Sequence, residues 1–357
     1  MASEPPVGTN FEDGLQGATE TVAEFHGHET GLKRIQHWLH QTPSAVPMIV
    51  LAVSIVIFAL LSDNFFKATT MSTILQQIAI VGILGCAQSI VILTAGIDLS
   101  VGAIAVFSSV LMGQFSFRYG IPAPMAIALG MACGTAMGAL NGVLISRLRL
   151  PPFIVTLGTW QIFLAANYIY SANETIRSSD IGERAASLQF WGNAIQPGGV
   201  KVLYAVFLMI GLVAVMAYVL RHTAWGRHVY AIGDDAEAAQ LSGVQTKKVV
   251  IQVYALAGLF CAIAGWVMIG RFGSVSPSAS TGMQGNIQSI TAVVIGGISL
   301  FGGRGSIVGM FFGALIVGVF EMGLRLVGTD PQWTSFLIGV LIIFAVAVDQ
   351  WIRKVSS

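Results

Sequence analysis

The chain has 357 residues, 55% of them hydrophobic and only 10% charged, with 18 Lys and Arg against 17 Asp and Glu. An ordinary soluble domain carries about 25% charged residues, so most of this chain has lipid for its solvent. That excludes a cytoplasmic globular enzyme, a nucleic-acid binder (the net charge is only +1) and a disordered scaffold. The apolar content suffices for nine or ten helices of ~20 residues each, and the expected fold class is an all-α polytopic membrane protein.

Residues 1–44 are a different material. The stretch 1–32 carries the acids Glu4, Glu12, Asp13, Glu20, Glu24 and Glu29 and no Lys or Arg. It lacks the basic start and early apolar core of a secretory signal, and reads as a mostly disordered acidic tail. An amphipathic stretch around Lys33, Arg34 and Trp38 ends it. His26, His28, His37 and His40 are read as solvated rather than as metal ligands. From residue 45 the apolar runs predict spans at 45–62, 75–95, 99–117, 123–145, 151–170, 202–220, 249–270, 286–301, 307–326 and 334–350. The eighth is short and contains Gly296 and Gly297, which leaves a full helix and a broken or re-entrant segment both open.

Charge placement orients this map. With ten spans and an inside N-terminus, Lys33, Arg34, Arg147, Arg149, Arg221, Arg227, Lys247, Lys248, Arg304, Arg353 and Lys354 lie on the cytoplasmic side. Lys67, Arg118, Arg177, Arg184, Lys201, Arg271 and Arg325 lie outside, three of them in one long loop, 171–201, where basic residues weigh less. Both termini are therefore expected in the cytoplasm.

Gly130, Gly134, Gly138 and Gly142 recur every four residues in the fourth span, and Gly305, Gly309 and Gly313 do so entering the ninth. Such stripes admit close helix approach. Gly96-Ile97-Asp98-Leu99 is echoed by Gly297-Ile298-Ser299-Leu300, each before a glycine-containing helix start, an echo too short to establish a duplication. Cys86, Cys133 and Cys261 lie in apolar stretches without metal or redox spacing and read as buried thiols.

No phosphate-cradling Gly-x-x-x-x-Gly-Lys loop, His-Glu-x-x-His or Gly-x-Ser-x-Gly occurs, so an enzyme is not expected. Ionisable groups in or beside the spans are Asp98, Glu321, Arg325 and Asp349, costly in lipid and functional suspects for that reason. Asp98 sits in a break between spans, where it can cap the next helix. Glu321 and Arg325 are i, i+4 partners on one face, as are Asp349 and Arg353. A proton- or ion-relay role for Asp98 or Glu321 stays open, and with it an ion-coupled secondary sugar transporter. A non-transporting membrane component is a further alternative.

The loop 221–248 predicts a short helix. Asp234 or Asp235 can cap it, Glu237-Ala238-Ala239-Gln240-Leu241 are good formers, and Gly243 stops it. It is too short to be stable alone. Docking in a partner's groove and an ordinary capped loop helix are equally open from spacing.

Glu237-Ala238-Ala239 followed by Gly243 resembles the Glu-Ala-Ala-x-x-x-Gly element of ABC importer permeases. Ile92-Leu93-Thr94-Ala95-Gly96-Ile97-Asp98-Leu99-Ser100-Val101-Gly102 resembles the signature of ribose-type monosaccharide permeases. So do Asn141-Gly142, Pro151-Pro152-Phe153-Ile154-Val155-Thr156-Leu157-Gly158-Thr159, and Gly296-Gly297-Ile298-Ser299-Leu300-Phe301-Gly302-Gly303-Arg304-Gly305-Ser306. The resemblance runs from about residue 45 to 354. Trp160-Gln161 stands where many ribose-type members carry Arg-Gly, and Glu321-Met322-Gly323 where Asn-Gly is usual. These, with Ser171-Ala172-Asn173-Glu174, are closer to fructose-import permeases.

The resemblance implies a bacterial inner-membrane permease subunit for a monosaccharide, fructose first, with ribose, mannose and other pentoses or hexoses as alternatives. It implies a second permease copy, a periplasmic sugar-binding protein, and an ABC ATPase subunit that carries the ATP and Mg²⁺. This chain would bind no cofactor or metal and no nucleic acid. Glu237, Ala238, Ala239, Leu241 and Gly243 would couple to the ATPase. Polar residues within spans are path candidates: Gln88, Ser89, Thr94, Asn141, Thr156, Thr159, Gln161 and Asn167, with Asp98 at the break. Phe153, Trp160 and Phe163 would offer a flat surface to a sugar. Helix packing is the alternative role for each of them.

Overall fold

The computed structural model describes residues 45–330, together with 332–333, 335–340, 342–343 and 347. The acidic tail, about half of the tenth expected span and the Asp349–Arg353 pair lie outside the described residues. The described chain is all-helical apart from one two-stranded hairpin.

The membrane helices are α1 (Ala45–Leu61), α2 (Ala68–Leu93), α3 (Val101–Phe117), α4 (Ala123–Leu148) and α5 (Pro152–Ser171), and, after the long loop, α7 (Tyr204–His222), α10 (Thr246–Phe272), α11 (Ala279–Ile295) and α12 (Ile307–Leu326). Among the described residues six of these, α2, α4, α5, α7, α10 and α12, are long and apolar enough to cross a bilayer. α1 and α3 are apolar but have 17 residues each, about 25 Å at 1.5 Å per residue against a hydrocarbon core of ~30 Å. Local chemistry sets the ends. Pro122 and Pro151 stand at the N-caps of α4 and α5, where a missing N–H costs nothing. Gly273 in the left-handed region closes α10.

The eighth span differs from its expected place. The helix begins at Ala279, earlier than residue 286, and ends at Ile295. Gly297 takes φ 79 and the Ile298 N–H bonds back to the Val293 carbonyl at 3.1 Å, so 296–306 is a folded non-helical segment. The polar start, Ala279-Ser280-Thr281-Gly282, escapes an apolar scan but is helical. Its Ser278 cap accepts the Thr281 N–H, and Gly282 lies against the Gly102 backbone of α3.

α2 and α10 form the centre. Ile83, Leu84, Ala87, Ile90, Val91 and Leu93 of α2 are completely buried, as are Val253 and Cys261 of α10. The α4 stripe explains how α10 comes so close. A methyl on Gly134 would meet Ala262 Cβ at 2.6 Å, and one on Gly138 would strike the Tyr254 carbonyl and the Gly258 backbone. In the second series only Gly309 and Gly313 belong to α12. Gly305 precedes the helix, at φ 131.

Two loops are structured. Residues 176–203 fold over one end of the bundle as α6 (Ser178–Arg184), a 3₁₀ turn (Ala186–Gly192) and the hairpin β1 (Ala194–Ile195) and β2 (Val202–Leu203). Ile181 and Leu188 are fully buried there, and Trp191 meets Trp266 of α10 edge-on at 5.3 Å. At the other end, 224–241 forms α8 (Ala224–Asp234) and α9 (Ala236–Leu241).

Gly138→Val places two further methyls against α10 backbone, an overpacking that costs about 1–3 kcal/mol. It is expected to lower the thermal midpoint of the detergent-purified protein. Gly158→Ala and Gly211→Ala, which meet nothing within 4 Å, are expected to hold or raise it, by up to about 1 kcal/mol of helix propensity. Scanning fluorimetry of the three variants checks both.

Candidate functional site

α9 is built as a short projecting post. Asp235, rather than Asp234, is its cap, its carboxylate accepting the Glu237 and Ala238 N–H groups at 2.9 Å each. The Val244 N–H bonds to the Ala239 carbonyl as the chain turns through Gly243 at φ 87. Ala239 alone of this helix faces inward, 5% exposed, while Glu237, Ala238 and Gln240 are exposed and Leu241 is 90% exposed.

α8 links that post to the core. Thr223 caps it by accepting the Gly226 N–H at 3.1 Å. Val229, Ile232 and Gly233 are buried. Trp225, Val229 and Ile232 have the i, i+4, i+7 spacing of an amphipathic helix, a signal present in the sequence that the reading of 221–248 as a loop with one short helix passed over.

The inner end of α8 touches both breaks of the bundle at once. A methyl on Gly233 would strike the Leu93 carbonyl at the end of α2, and it would meet the Gly303 nitrogen in the segment after α11. Gly303 N–H itself donates to that Leu93 carbonyl at 3.1 Å. Tyr230 Oη donates to the Gly305 carbonyl at 2.9 Å, and burial pushes this phenol's pKa up. The two echoed segments, 96–99 and 297–300, thus belong to two breaks that share one neighbour.

The first break, residues 94–100, gathers several of the path candidates. Asp98 is 1% exposed, and its Oδ1 accepts the Ser100 N–H at 2.7 Å and the Ser100 hydroxyl at 2.6 Å. Asn141 Nδ2 donates to the Ser100 hydroxyl at 2.8 Å, and the Thr156 hydroxyl donates to the Ile97 carbonyl at 3.0 Å. The Thr94 hydroxyl donates back to the Val91 carbonyl at 2.8 Å. The helix cap expected of Asp98 falls to a residue that sequence reasoning missed. Asp98 accepts from Ser100, the residue before α3, and from no N–H of the helix itself. The helical Gly102 N–H goes instead to Asn286 of α11, which accepts it at 2.6 Å while its Nδ2 donates to the Leu99 carbonyl.

The remaining candidates are dispersed. Gln88 and Ser89 are buried in α2, and Thr159 bonds within α5 to the Thr156 carbonyl. Asn167 reaches the Pro277 carbonyl at 3.1 Å, tying α5 to the turn before α11. Phe163 is buried and Trp160 half-buried, whereas Phe153 and Gln161 are exposed on α5.

Open space lies elsewhere. A cavity of about 660 Å³ borders α11 and α12, and a second of about 180 Å³ extends toward α2 and α10. Gln284, Gln288, Glu321 and Arg325 line both. Glu321 takes its partners across helices, from Gln77 of α2 and from Gln288 of α11 at 2.8 Å, where the i, i+4 spacing suggests Arg325. Among the described residues no group of three or more His, Cys, Asp or Glu side chains is placed to hold a metal ion.

Comparison with known proteins gives one family and a graded set of relatives. A family profile described as "Branched-chain amino acid transport system / permease component" matches residues 70–346. The chain is 60% identical to the fructose import permease protein FrcC of Rhizobium meliloti over 97% of its length and 96% of that protein's. It is 36% identical to the ribose import permease protein RbsC of Escherichia coli K12, over 87% of this chain and 94% of that one. Identity to the galactose/methyl galactoside import permease protein MglC of the same organism is 32%, over 84% and 92%. No solved structure matches the chain.

Asn286→Leu leaves the buried Gly102 N–H and Leu99 carbonyl without their partner. Each orphaned group costs about 1–3 kcal/mol, so the variant is expected to unfold at a lower temperature than wild type, with α3 gaining the most in hydrogen exchange. Unchanged exchange at 99–104 would contradict the bridging role.

Proposed function

Because the chain belongs to the branched-chain amino acid transport system permease component family, we propose that it is the membrane-spanning subunit of an ABC importer that carries a monosaccharide, with fructose as cargo. The observation that carries this reading is the 60% identity to a fructose import permease over nearly the whole of both chains. The ribose and galactose permeases that follow at lower identity keep the substrate class within neutral sugars. The chain is a multi-pass inner-membrane protein.

In this reading the chain has ten spans and both termini in the cytoplasm. Residues 45–354 form the permease domain and 1–44 a cytoplasmic tail. α9 faces the cytoplasm, and the folded 171–201 loop faces a sugar-binding protein outside. Two copies of the chain make one pathway. ATP and its Mg²⁺ are held by a separate ATPase subunit, on which Glu237, Ala238, Ala239, Leu241 and Gly243 dock. Its closure pushes α9, α8 follows as a rigid lever, and Gly233 passes the displacement to both breaks. Movement there alters how α3 and α12 start and hence how the bundle packs. The contiguous contacts from α9 through α8 to both breaks are the physical route this coupling would use.

The test is reconstitution with the ATPase and binding-protein partners in proteoliposomes. ATP-dependent fructose uptake is expected, and uptake driven by an ion gradient alone would overturn the reading. Leu241→Asp alters an exposed position of α9 and Gly243→Asp the exposed left-handed turn just after it, both outside the spans, so membrane insertion is expected to persist. Loss of a hot-spot contact of about 2 kcal/mol or more is expected to abolish ATP-driven uptake in both.

A further inference from the structure

Among the spans, one polar cluster is unlike the rest. Arg271, Glu321 and Arg325 stand toward the ends of apolar helices, and Gln77, Gln284 and Gln288 join them from α2 and α11. Glu321 lies more than a turn inside its apolar helix, where a charge is costly in lipid, whereas Arg271 and Arg325 sit in the last turns of theirs. Such groups persist where they line a water-filled or ligand-filled space. The larger of the two cavities, about 660 Å³, falls in the ~300–1,000 Å³ range of small-molecule sites.

Its position along the bundle follows from the helices. α12 starts beside Gly305, which α8 holds, and Glu321 lies about four turns further on. Gln77 lies about four turns before α2 ends at Leu93, the other point that α8 touches. Arg271 is at the end of α10 remote from Thr246. The cluster therefore lies at the end opposite α9, the same end as the folded 176–203 loop, whose Lys201 N–H bonds to Ser72 of α2 at 2.7 Å.

We propose that Gln77, Gln284, Gln288, Glu321, Arg271 and Arg325 form the receiving site for the sugar at the outer mouth of the pathway. The inference rests on the sugar-importer reading and assigns that reading a binding site. The chemistry fits a neutral polyol. A carboxylate accepts two vicinal hydroxyls, each glutamine amide donates and accepts, and a guanidinium donates in a fork. Phe272, half exposed with the Arg271 guanidinium 5.3 Å from its ring centre, offers an apolar face for C–H groups. Two guanidiniums to one carboxylate leave the cluster at net +1, so the match to a neutral polyol lies in its hydroxyl-bonding groups, Glu321 first among them. Its bonds to Gln77 and Gln288 hold the carboxylate oriented before the sugar arrives, so little ordering is left for binding to accomplish.

The assembled importer in proteoliposomes tests this with labelled fructose. Glu321→Gln and the double variant Gln284→Leu, Gln288→Leu are expected to lose about tenfold or more in uptake. ATP hydrolysis stimulated by the loaded binding protein is expected to stay within about twofold of wild type. Uptake at the wild-type rate would overturn the site while leaving the importer reading intact. Wild-type complex without ATP-driven uptake would instead remove the reading itself. Should these variants fail to assemble, Gln284→Cys in a Cys133→Ser background is labelled from outside with a charged thiol reagent. Protection by fructose-loaded binding protein is expected, and labelling that ignores the sugar would overturn the proposal.

Discussion

Everything in this bundle depends on satisfying an interrupted backbone inside an apolar medium. Between α2 and α3 the chain leaves helical geometry for residues 94–100, with Gly96, Asp98 and Ser100 buried in the protein, and each buried peptide group left unpaired costs about 1–3 kcal/mol. Irregular backbone so buried survives only where protein supplies every partner. Here backbone partners come from Thr156 on α5, Asn286 on α11 and Gly303 after α11, while Asn141 on α4 holds the Ser100 hydroxyl. One short gap thus dictates which helices surround α3 and in what register. The same demand fixes the choice of side chains, since an amide serves a carbonyl and an N–H simultaneously, as Asn286 does.

That requirement also divides polar residues into two populations. Asp98, Asn141, Thr156 and Asn167 are occupied by hydrogen bonds that hold helices in place. Gln284 and Arg325 border open volume, and so do Glu321 and Gln288 beside their bond to one another. Residue type separates them poorly, since an acid and amides occur in both. Separating them takes knowledge of what lies opposite each one, which only the fold supplies.

What the sequence made legible follows from this. Long apolar runs placed α2, α4, α5, α7, α10 and α12 because lipid imposes a length and composition on each. Four-residue glycine spacing announced the α4–α10 approach, since nothing but a small side chain permits it. The capped α9 helix was readable because an N-cap is a local event between Asp235 and its next neighbours. The start of α11 was not, because Ala279-Ser280-Thr281-Gly282 has no apolar signal and becomes helical through Ser278 and contact with α3. Nor was the fold of 176–203, whose few apolar residues, Ile181, Leu188 and Trp191, are too scattered for a period. Asn286 gave no warning either, its backbone partner at Gly102 being 184 positions away.

That last separation has a temporal meaning. Ribosomes add about 5–20 residues per second, so roughly 10–40 s pass between synthesis of the α3 start and the arrival of the amide that completes it. Throughout that interval the Gly102 N–H and the Leu99 carbonyl have no protein partner from α11. α3 therefore cannot settle as a finished span in the order in which it is made. Until Asn286 arrives those two groups need water or another partner, so α11 completes the start of α3 as well as walling the cavity.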